Sequence, residues 1–254
     1  MSAAAPARPR RRAGRVWGIL AVLVVVLAAL AVVADVVVRN IAEQRLAEQI
    51  RANLPEGVDG EVDVTIGGLS VIAQYLSGSM DRVELSAPEL DVNGAPVAVD
   101  VVGEDVPVDL ASPVARVSGT ITADEASLNR LVAVAGVEGG FTLGDGVVGY
   151  AGALDVLGLA IDYSVTARPT AAGDSVLLQP EGADVGAGGD AIDVSGLVDR
   201  LLGEDPLAVC VAEYLPEGVD VHDLAITPGT VTVELRAQEL MLDEASLART
   251  GTCG

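Results

Sequence analysis

The hydrophobic pattern near the start of the chain changes character after residue 34. Residues 16–34 are uncharged and almost entirely apolar, whereas in residues 39–54 apolar side chains recur at every fourth position between charged ones. These recurring residues are Ala42, Leu46, Ile50 and Leu54. A helix of nineteen residues spans roughly 28 Å, close to the roughly 30 Å of bilayer hydrocarbon. The pattern predicts a membrane-spanning helix, then an amphipathic helix that ends before Pro55.

Beyond Pro55 the dominant pattern alternates between apolar and polar residues, which is typical of half-buried strands. Asn93-Gly94 separates two such runs and predicts a hairpin turn. Long strands are predicted around residues 147–150 and 154–165, and the glycine-rich residues 182–189 are predicted to form a loop. Shorter alternating segments occur at residues 58–66, 83–87, 97–101, 114–121, 221–226 and 231–235.

Three further helices are predicted between these strands. Thr122 and Glu125 have the spacing of a capping box, ahead of apolar residues at helical intervals that end at Gly136. Residues 192–202 carry an apolar face, and Asp205-Pro206 has the sequence of a helix start. The fold class predicted is therefore α+β, with an N-terminal transmembrane helix followed by a long curved antiparallel sheet wrapped around helices.

One hexapeptide occurs twice, as residues 54–59 and 215–220, and each copy precedes an alternating strand. The repeat, Leu-Pro-Glu-Gly-Val-Asp, has two interpretations: an internal duplication, or one way of leaving a helix used at two places. The sequence Asp-Glu-Ala-Ser-Leu also occurs twice, at a different offset, and this favours the second interpretation.

The charges are divided along the chain in a way that predicts topology. All 37 acidic residues lie at or after Asp35, and the first fifteen residues contain five arginines. Because arginines beside a first helix are retained on the cytoplasmic side, residues 1–15 are predicted to be a cytoplasmic basic tail and residues 16–38 the anchor. Residues 39–254 then form an extracytoplasmic domain. The alternative is a cleaved secretory signal ending near Ala34.

This domain is strongly acidic and poor in aromatic residues. From Asp35 to the end of the chain ten arginines face 37 acidic residues, a formal charge of −27, and the whole chain has four Tyr, one Phe and one Trp. Such a surface repels phosphate backbones and offers few stacking platforms, so nucleic acid is excluded as a partner.

The only cysteines, Cys210 and Cys253, both lie on the predicted oxidising side of the membrane. A structural disulfide between them is predicted; a free reactive thiol needs a basic neighbourhood that neither position shows.

Catalytic patterns are sparse. His222 is the only histidine, and neither a Gly-x-Ser-x-Gly elbow nor a His or Cys cluster with metal-ligand spacing occurs. We therefore expect no enzyme activity, no catalytic residues, no metal and no cofactor. A weak lipid hydrolase that uses His222 is the least favoured hypothesis.

Residues 69–77 stand out as an apolar helix or loop between Gly68 and Gly78. Leu69, Val71, Ile72, Tyr75 and Leu76 are either core residues or a lip that contacts lipid. Composition alone favours the core.

Short motifs along the chain resemble a known family. They are Ile66-Gly67-Gly68-Leu69 through Gly78, leading into Asp81-Arg82-Val83-Glu84-Leu85; Ser118-Gly119-Thr120-Ile121 through Leu128-Asn129; Leu157-Gly158; and Pro216-Glu217-Gly218-Val219. The chain resembles the LmeA-type phospholipid-binding proteins of actinobacterial cell envelopes over roughly residues 36–250. In that family aromatic residues and a proline usually follow the paired glycines, whereas this chain has Leu69-Ser70-Val71-Ile72.

The resemblance implies a fold like the tubular (BPI-like) lipid-binding proteins, with a lipid-sized groove. It implies a non-enzymatic, membrane-anchored protein that binds or transfers a phospholipid or a lipid-linked glycan intermediate outside the cytoplasmic membrane. The alternative is a structural or partner-binding envelope domain with a packed core. The candidate lipid-contacting residues are Leu69, Val71, Ile72, Tyr75, Leu76, Leu128, Leu131, Val132, Leu159 and Ile161.

Overall fold

A computed structural model describes residues 13–109, 111–132, 138–156, 159–187, 190–193, 196 and 206–253. The helices are α1 (Ala13–Ala52), α2 (Val71–Ser77), α3 (Glu125–Leu131) and α4 (Glu244–Leu247), with one 3-10 turn at Ala212–Tyr214. The strands are β1 (Val58–Gly60), β2 (Asp63–Ile66), β3 (Ser79–Val92), β4 (Ala95–Pro107), β5 (Val114–Asp124), β6 (Glu138–Leu143), β7 (Val148–Val156), β8 (Leu159–Ala172), β9 (Ser175–Ala187), β10 (Asp190–Asp193), β11 (Leu207–Cys210), β12 (Val219–Thr227) and β13 (Thr230–Leu240). The predicted α+β class, with an apolar N-terminal helix followed by antiparallel sheet, is confirmed.

Helix α1 joins the predicted anchor and the predicted amphipathic helix without a break. Every side chain from residue 19 to residue 34 is exposed, so this segment is not buried against the rest of the described protein. Its length and composition are those of a membrane span, and a signal sequence has the same properties. Further along α1, Leu46, Ala47 and Ile50 pack against the first sheet. One helix therefore has an unpacked apolar half and a half that belongs to the domain.

The first sheet has the strand order β1-β3-β4-β5-β13-β12, and β2 also pairs with β3. All its pairs are antiparallel. The predicted turn at Asn93-Gly94 joins β3 to β4, and both residues have positive φ, 53° and 86°. Positive φ at both positions is what a two-residue hairpin turn of the primed type requires.

The second sheet has the order β10-β9-β8-β7-β6, with β11 also paired to β9. Two predictions for this region are wrong. The strand predicted over residues 154–165 is divided between β7 and β8, which pair with each other. The predicted loop at residues 182–189 lies largely in β9, where Ala183 and Val185 pair with Val165 and Tyr163. Cross-strand pairing here outweighs the low strand propensity of glycine.

Two predicted helix starts are also wrong. Thr122 pairs within the sheet, and Asp124 caps α3 by accepting a hydrogen bond from the Ser127 N–H at 2.7 Å. This hydrogen bond holds the pKa of Asp124 below its ordinary value. After Pro206 the chain forms strand β11, paired with β9, before the short 3-10 turn. Of the helix predicted over residues 192–202, Ile192 and Asp193 lie in β10, and most of the rest is outside the described residues.

The repeated hexapeptide forms the same turn in both places. The Val58 N–H donates to the Pro55 carbonyl at 3.1 Å, and the Val219 N–H donates to the Pro216 carbonyl at 3.0 Å. The glycines inside the turns, Gly57 and Gly218, have φ of 82° and 85°. A 40-residue helix precedes the first turn and a 3-residue 3-10 turn precedes the second. The repeat is therefore accounted for by a shared turn.

The two sheets meet at β12 and α3. Gly173, after β8, pairs with Val221 of β12, and the Gly229 N–H donates to the Leu143 carbonyl at 3.0 Å. Helix α3 contacts β4, β5 and β6, so it touches both sheets. The predicted Cys210–Cys253 disulfide is present and links β11 of the second sheet to the C-terminal segment. That segment pairs with Pro216, just before β12 of the first sheet.

Candidate functional site

One face of the first sheet is aliphatic across five strands. Cross-strand pairing places Leu85, Val101, Gly119, Leu235 and Val221 in one row. The adjacent row contains Ala87, Val99, Ile121, Val233 and Leu224. Because side chains alternate between the two faces of a strand, all these residues lie on one face.

Within the described residues, the centre of this face is incompletely covered. Helix α1 packs on one side of it, where Ala47 contacts a buried cluster that includes Val64, Val83 and Ala87. Helix α3 contacts β4 and β5. Between them Val99, Val101, Ile121, Val233 and Leu235 are only half-buried, and we call these five residues the apolar strip. Gly119 lies between Val101 and Leu235 and contributes no side chain, so the strip is recessed there.

The opposite face of the same strands is polar. Ser86 donates to Asp100 across β3 and β4 at 2.6 Å, and Arg116 pairs with Glu104 at 2.7 Å. The pKa of the Arg116 guanidinium is raised by its hydrogen bond to Glu104. The sheet is thus amphipathic, with a solvated face and a face whose apolar centre is left partly open.

The second sheet also has an apolar face, and three of the six aromatic residues lie on it. The Phe141 and Tyr150 rings are 4.8 Å apart between centroids, and Tyr150 and Tyr163 are 6.2 Å apart. Loss of hydration raises the pKa of Tyr163. Ile161 and Val165 share this face with Tyr163, and Val165 is 47% exposed.

Helix α2 divides the apolar residues 69–77 between two roles. Val71 is 2% exposed and belongs to the core, whereas Leu69 is fully exposed, Leu76 is 81% exposed and Tyr75 is also exposed. We call Leu69, Tyr75 and Leu76 the apolar lip. The core interpretation thus holds for Val71 alone among these four residues.

Three charged residues of α1, spaced four apart, hold the segment that leads into α2. Arg39 donates to the carbonyls of Ile66 and Gly68 at 2.8 and 2.9 Å. Glu43 accepts from the Ile66 N–H at 2.8 Å, and Asp35 accepts from Ser70 Oγ at 2.7 Å and from the Ile72 N–H at 3.0 Å. Arg39 and Asp35 also form an ion pair at 3.7 Å. We call Asp35, Arg39 and Glu43 the α1 clamp.

A buried amide completes the clamp from the domain side. Gln74 of α2 donates to the Gly67 carbonyl at 2.9 Å and accepts from the Asp81 N–H at 2.7 Å. Ser70 caps α2 and accepts from the Ala73 N–H at 3.2 Å. Because every contact is made to backbone or to a capping group, the paired glycines are held in a defined position against α1.

The ten candidate lipid-contacting residues fall into separate groups. Leu69, Ile72, Tyr75 and Leu76 belong to or adjoin α2, which contacts α1 and β3, and Val71 is buried beneath them. Leu128 of α3 is half-buried, while Leu131 and the adjoining Val132 are exposed. Ile161 lies on the second sheet, and the side chain of Leu159 is outside the described set. Their contact with lipid remains a prediction.

Sequence reasoning assigned the residues of the apolar strip to strands and missed them as a site. The signal that identifies them is the matched apolar register of five adjacent strands, which becomes visible only once the strand order is known. The lone His222 lies exposed on β12.

Replacing Arg39 with alanine is expected to loosen the segment between β2 and α2. Two charged hydrogen bonds to carbonyls are lost, and because these groups are partly solvated we expect about 1–2 kcal/mol of destabilisation. Hydrogen exchange at residues 66–73 should accelerate. Arg39→Lys is the matched variant, since it keeps the charge but lacks the guanidinium fork that reaches both carbonyls, and it should fall between alanine and the native residue. Unchanged exchange in both variants would contradict a clamp.

Comparison with known proteins identifies the family of this chain. No curated protein and no solved structure matches it. The sequence profile of the LmeA-like phospholipid-binding family matches residues 33–236, which include the α1 clamp, the apolar lip and the apolar strip. Since this match covers most of the chain, the chain belongs to the LmeA-like phospholipid-binding family.

Proposed function

We propose that this protein binds a phospholipid whose acyl chain lies along the apolar strip. The observation that carries the proposal is the half-buried aliphatic centre of the first sheet, left open between α1 and α3, in a member of a phospholipid-binding family. An acyl chain that covers the strip removes the exposed part of five aliphatic side chains from water, and each such burial is favourable. The recess at Gly119 gives the chain room at the middle of the row.

We further propose that α1 anchors the protein in a membrane, with residues 1–15 in the cytoplasm and the domain outside. The five arginines within residues 1–15 and the acidic residues from Asp35 onward support this orientation, as does the disulfide. Binding, and not catalysis, is the proposed role, and transfer of the bound lipid between membranes is its extension. The family match favours a phospholipid as ligand over a lipid-linked glycan.

The test compares two neighbouring valines of β4 that differ in the face they occupy. Val101 lies on the aliphatic face, opposite Leu85 and Gly119, while Val102 lies on the polar face, opposite Glu84 and Ser118. Both are half-buried, and asparagine is depleted from strands in general, so both substitutions carry a strand-propensity cost. Val101→Asn places an amide against the acyl chain, so lipid recovery should fall about tenfold, whereas Val102→Asn should leave it unchanged.

Native mass spectrometry of the full chain, with extraction and identification of bound lipid, gives the readout. Gly119→Val is a second variant that fills the recess with an apolar, strand-compatible side chain. A β-carbon at Gly119 would approach no heavy atom closer than 3.8 Å, so the alanine-sized part of this change fits. The proposal predicts less bound lipid in a folded protein. Equal phospholipid recovery from the native chain and all three variants would overturn the strip as the site, and recovery of only a glycan-linked lipid would overturn the ligand class.

A further inference from the structure

Leu69 of the apolar lip lies beside the last apolar turns of α1. Leu69 lines a cavity of about 260 Å³ together with Ala31, Val32 and Val36 of α1, and Asp35 and Arg39 close its polar side. Helices α1 and α2 are in contact. Leu69 is therefore level with the last turns of the segment that we propose to lie in the membrane.

The surroundings of the lip are unusual for this chain. Residues 64–80 contain no charged residue, although the chain carries 37 acidic residues. An aspartate flanks this segment at each end, Asp63 and Asp81. Within that uncharged segment Leu69 and Leu76 are almost entirely exposed, and Tyr75 is 64% exposed. Large apolar side chains that are grouped, exposed and free of nearby charge on their own segment are typical of a surface that meets a partner.

The α1 clamp prevents the lip from moving away from α1. Asp35, Arg39 and Glu43 bind the backbone of residues 66–72 at four places. Insertion of α1 into a bilayer consequently brings the lip to the bilayer surface at a fixed height. Leu69 adjoins the exposed apolar surface of α1, which we propose to lie in the bilayer, so lipid is the partner that the two surfaces would share.

We propose that Leu69, Tyr75 and Leu76 insert into the interfacial region of the bilayer beside α1 and form a second membrane contact. Leucine side chains enter the acyl boundary there, and a tyrosine keeps its hydroxyl at the headgroups. This inference rests on the proposed membrane insertion of α1 and is independent of whether the apolar strip holds a lipid.

The test uses tryptophan fluorescence of the full chain in phosphatidylcholine vesicles, with and without lipid brominated near the glycerol end of its acyl chains. Trp17 is the single native tryptophan and reports the insertion of α1. In a Trp17→Phe background, Leu76→Trp places the probe on the lip. Tyr214→Trp is the matched control, because Tyr214 is 82% exposed on the 3-10 turn near the disulfide.

We expect Trp17 in the native chain and the probe at position 76 to lose fluorescence to a similar extent with brominated lipid, and the probe at position 214 to lose none. If the probe at position 76 is unquenched while Trp17 is quenched, α1 is inserted but the apolar lip is not, and the proposed second membrane contact is wrong. Equal quenching at positions 76 and 214 would also contradict that contact, since it indicates general adsorption of the domain to the vesicle. An unquenched Trp17 would overturn the premise that α1 is inserted.

Discussion

Replacing Gly68 with alanine is expected to destabilise the domain by about 2–4 kcal/mol. Gly68 has φ of +88°, and a β-carbon there would lie 2.4 Å from Gln74 Nε2 and 2.6 Å from Asp81 Oδ2. The Gln74 amide is buried and holds the Gly67 carbonyl and the Asp81 N–H, so it cannot move aside without leaving polar groups unpaired. Denaturant unfolding, together with hydrogen exchange over residues 66–81, measures the effect.

Gly78 provides a matched control for this substitution. It has the same φ of +88°, and a β-carbon at Gly78 would meet nothing within 4 Å. Gly78→Ala therefore carries only the backbone cost of the left-handed conformation, about 1 kcal/mol. The difference between the two variants isolates the collisions with Gln74 and Asp81. If both variants lost the same stability, the close approach of Gly68 to Gln74 would have no energetic importance.

Removing the Cys210–Cys253 disulfide is expected to cost roughly 4 kcal/mol in the chain-entropy description of a cross-link. The bridge spans a sequence separation of 43 and joins β11 of the second sheet to a segment that pairs beside β12 of the first. The double variant Cys210→Ser, Cys253→Ser should unfold at lower denaturant concentration. Its stability should also no longer respond to reductant, whereas the native chain should lose stability on reduction.

The C-terminal segment has other contacts that allow a sharper test. Gly251 N–H donates to the Leu215 carbonyl at 3.1 Å, and Glu217 N–H donates to the Arg249 carbonyl at 2.8 Å. In the double variant we expect hydrogen exchange at Gly251 and Glu217 to accelerate while the β4–β5 ladder keeps its protection below the unfolding transition. Native protection at both amides and an unchanged denaturant midpoint would show that these backbone contacts alone hold the segment.

The sequence predicted local structure well where one short pattern determines it. Asn93-Gly94 indicated the hairpin between β3 and β4, and the cysteine pair indicated the disulfide. The alternation in β12 and β13 also identified two strands correctly. Each of these features depends on residues that are close in sequence or, for the cysteines, on there being a single way to pair them.

Predictions failed where tertiary pairing competed with local preference. The capping box at Thr122 is chemically sound, but Thr122 pairs with strands on both sides, so the helix begins only after Asp124. Likewise, Asp205-Pro206 has the sequence of a helix start, while the residues that follow pair with β9. Neither strand pairing can be predicted from the local sequence, because the partner strands lie elsewhere in the chain.

Only part of the candidate site could be predicted, again because tertiary contacts determine the rest. The apolar residues 69–76 were recognised by their density, but which of them are exposed depends on how α2 sits on α1 and β3. The α1 clamp was missed because Asp35, Arg39 and Glu43 look like ordinary solvated charges at the end of an apolar segment. Only their contacts with the backbone of residues 66–72 distinguish them.

With α1 inserted as we propose, its continuity would make the domain mechanically sensitive to the thickness of the membrane. With no loop between the exposed apolar half of α1 and the half packed on the first sheet, a tilt of the helix is transmitted directly to the sheet. Once α1 is inserted, a thinner bilayer increases its tilt and a thicker one makes it more upright. The part of α1 from Asp35 to Ala52 is about 26 Å long, at 1.5 Å per residue. A small change in the tilt of α1 therefore displaces the far end of the domain by a larger distance. Lipid composition would in this way set the distance between the sheet and the headgroups without any flexible joint.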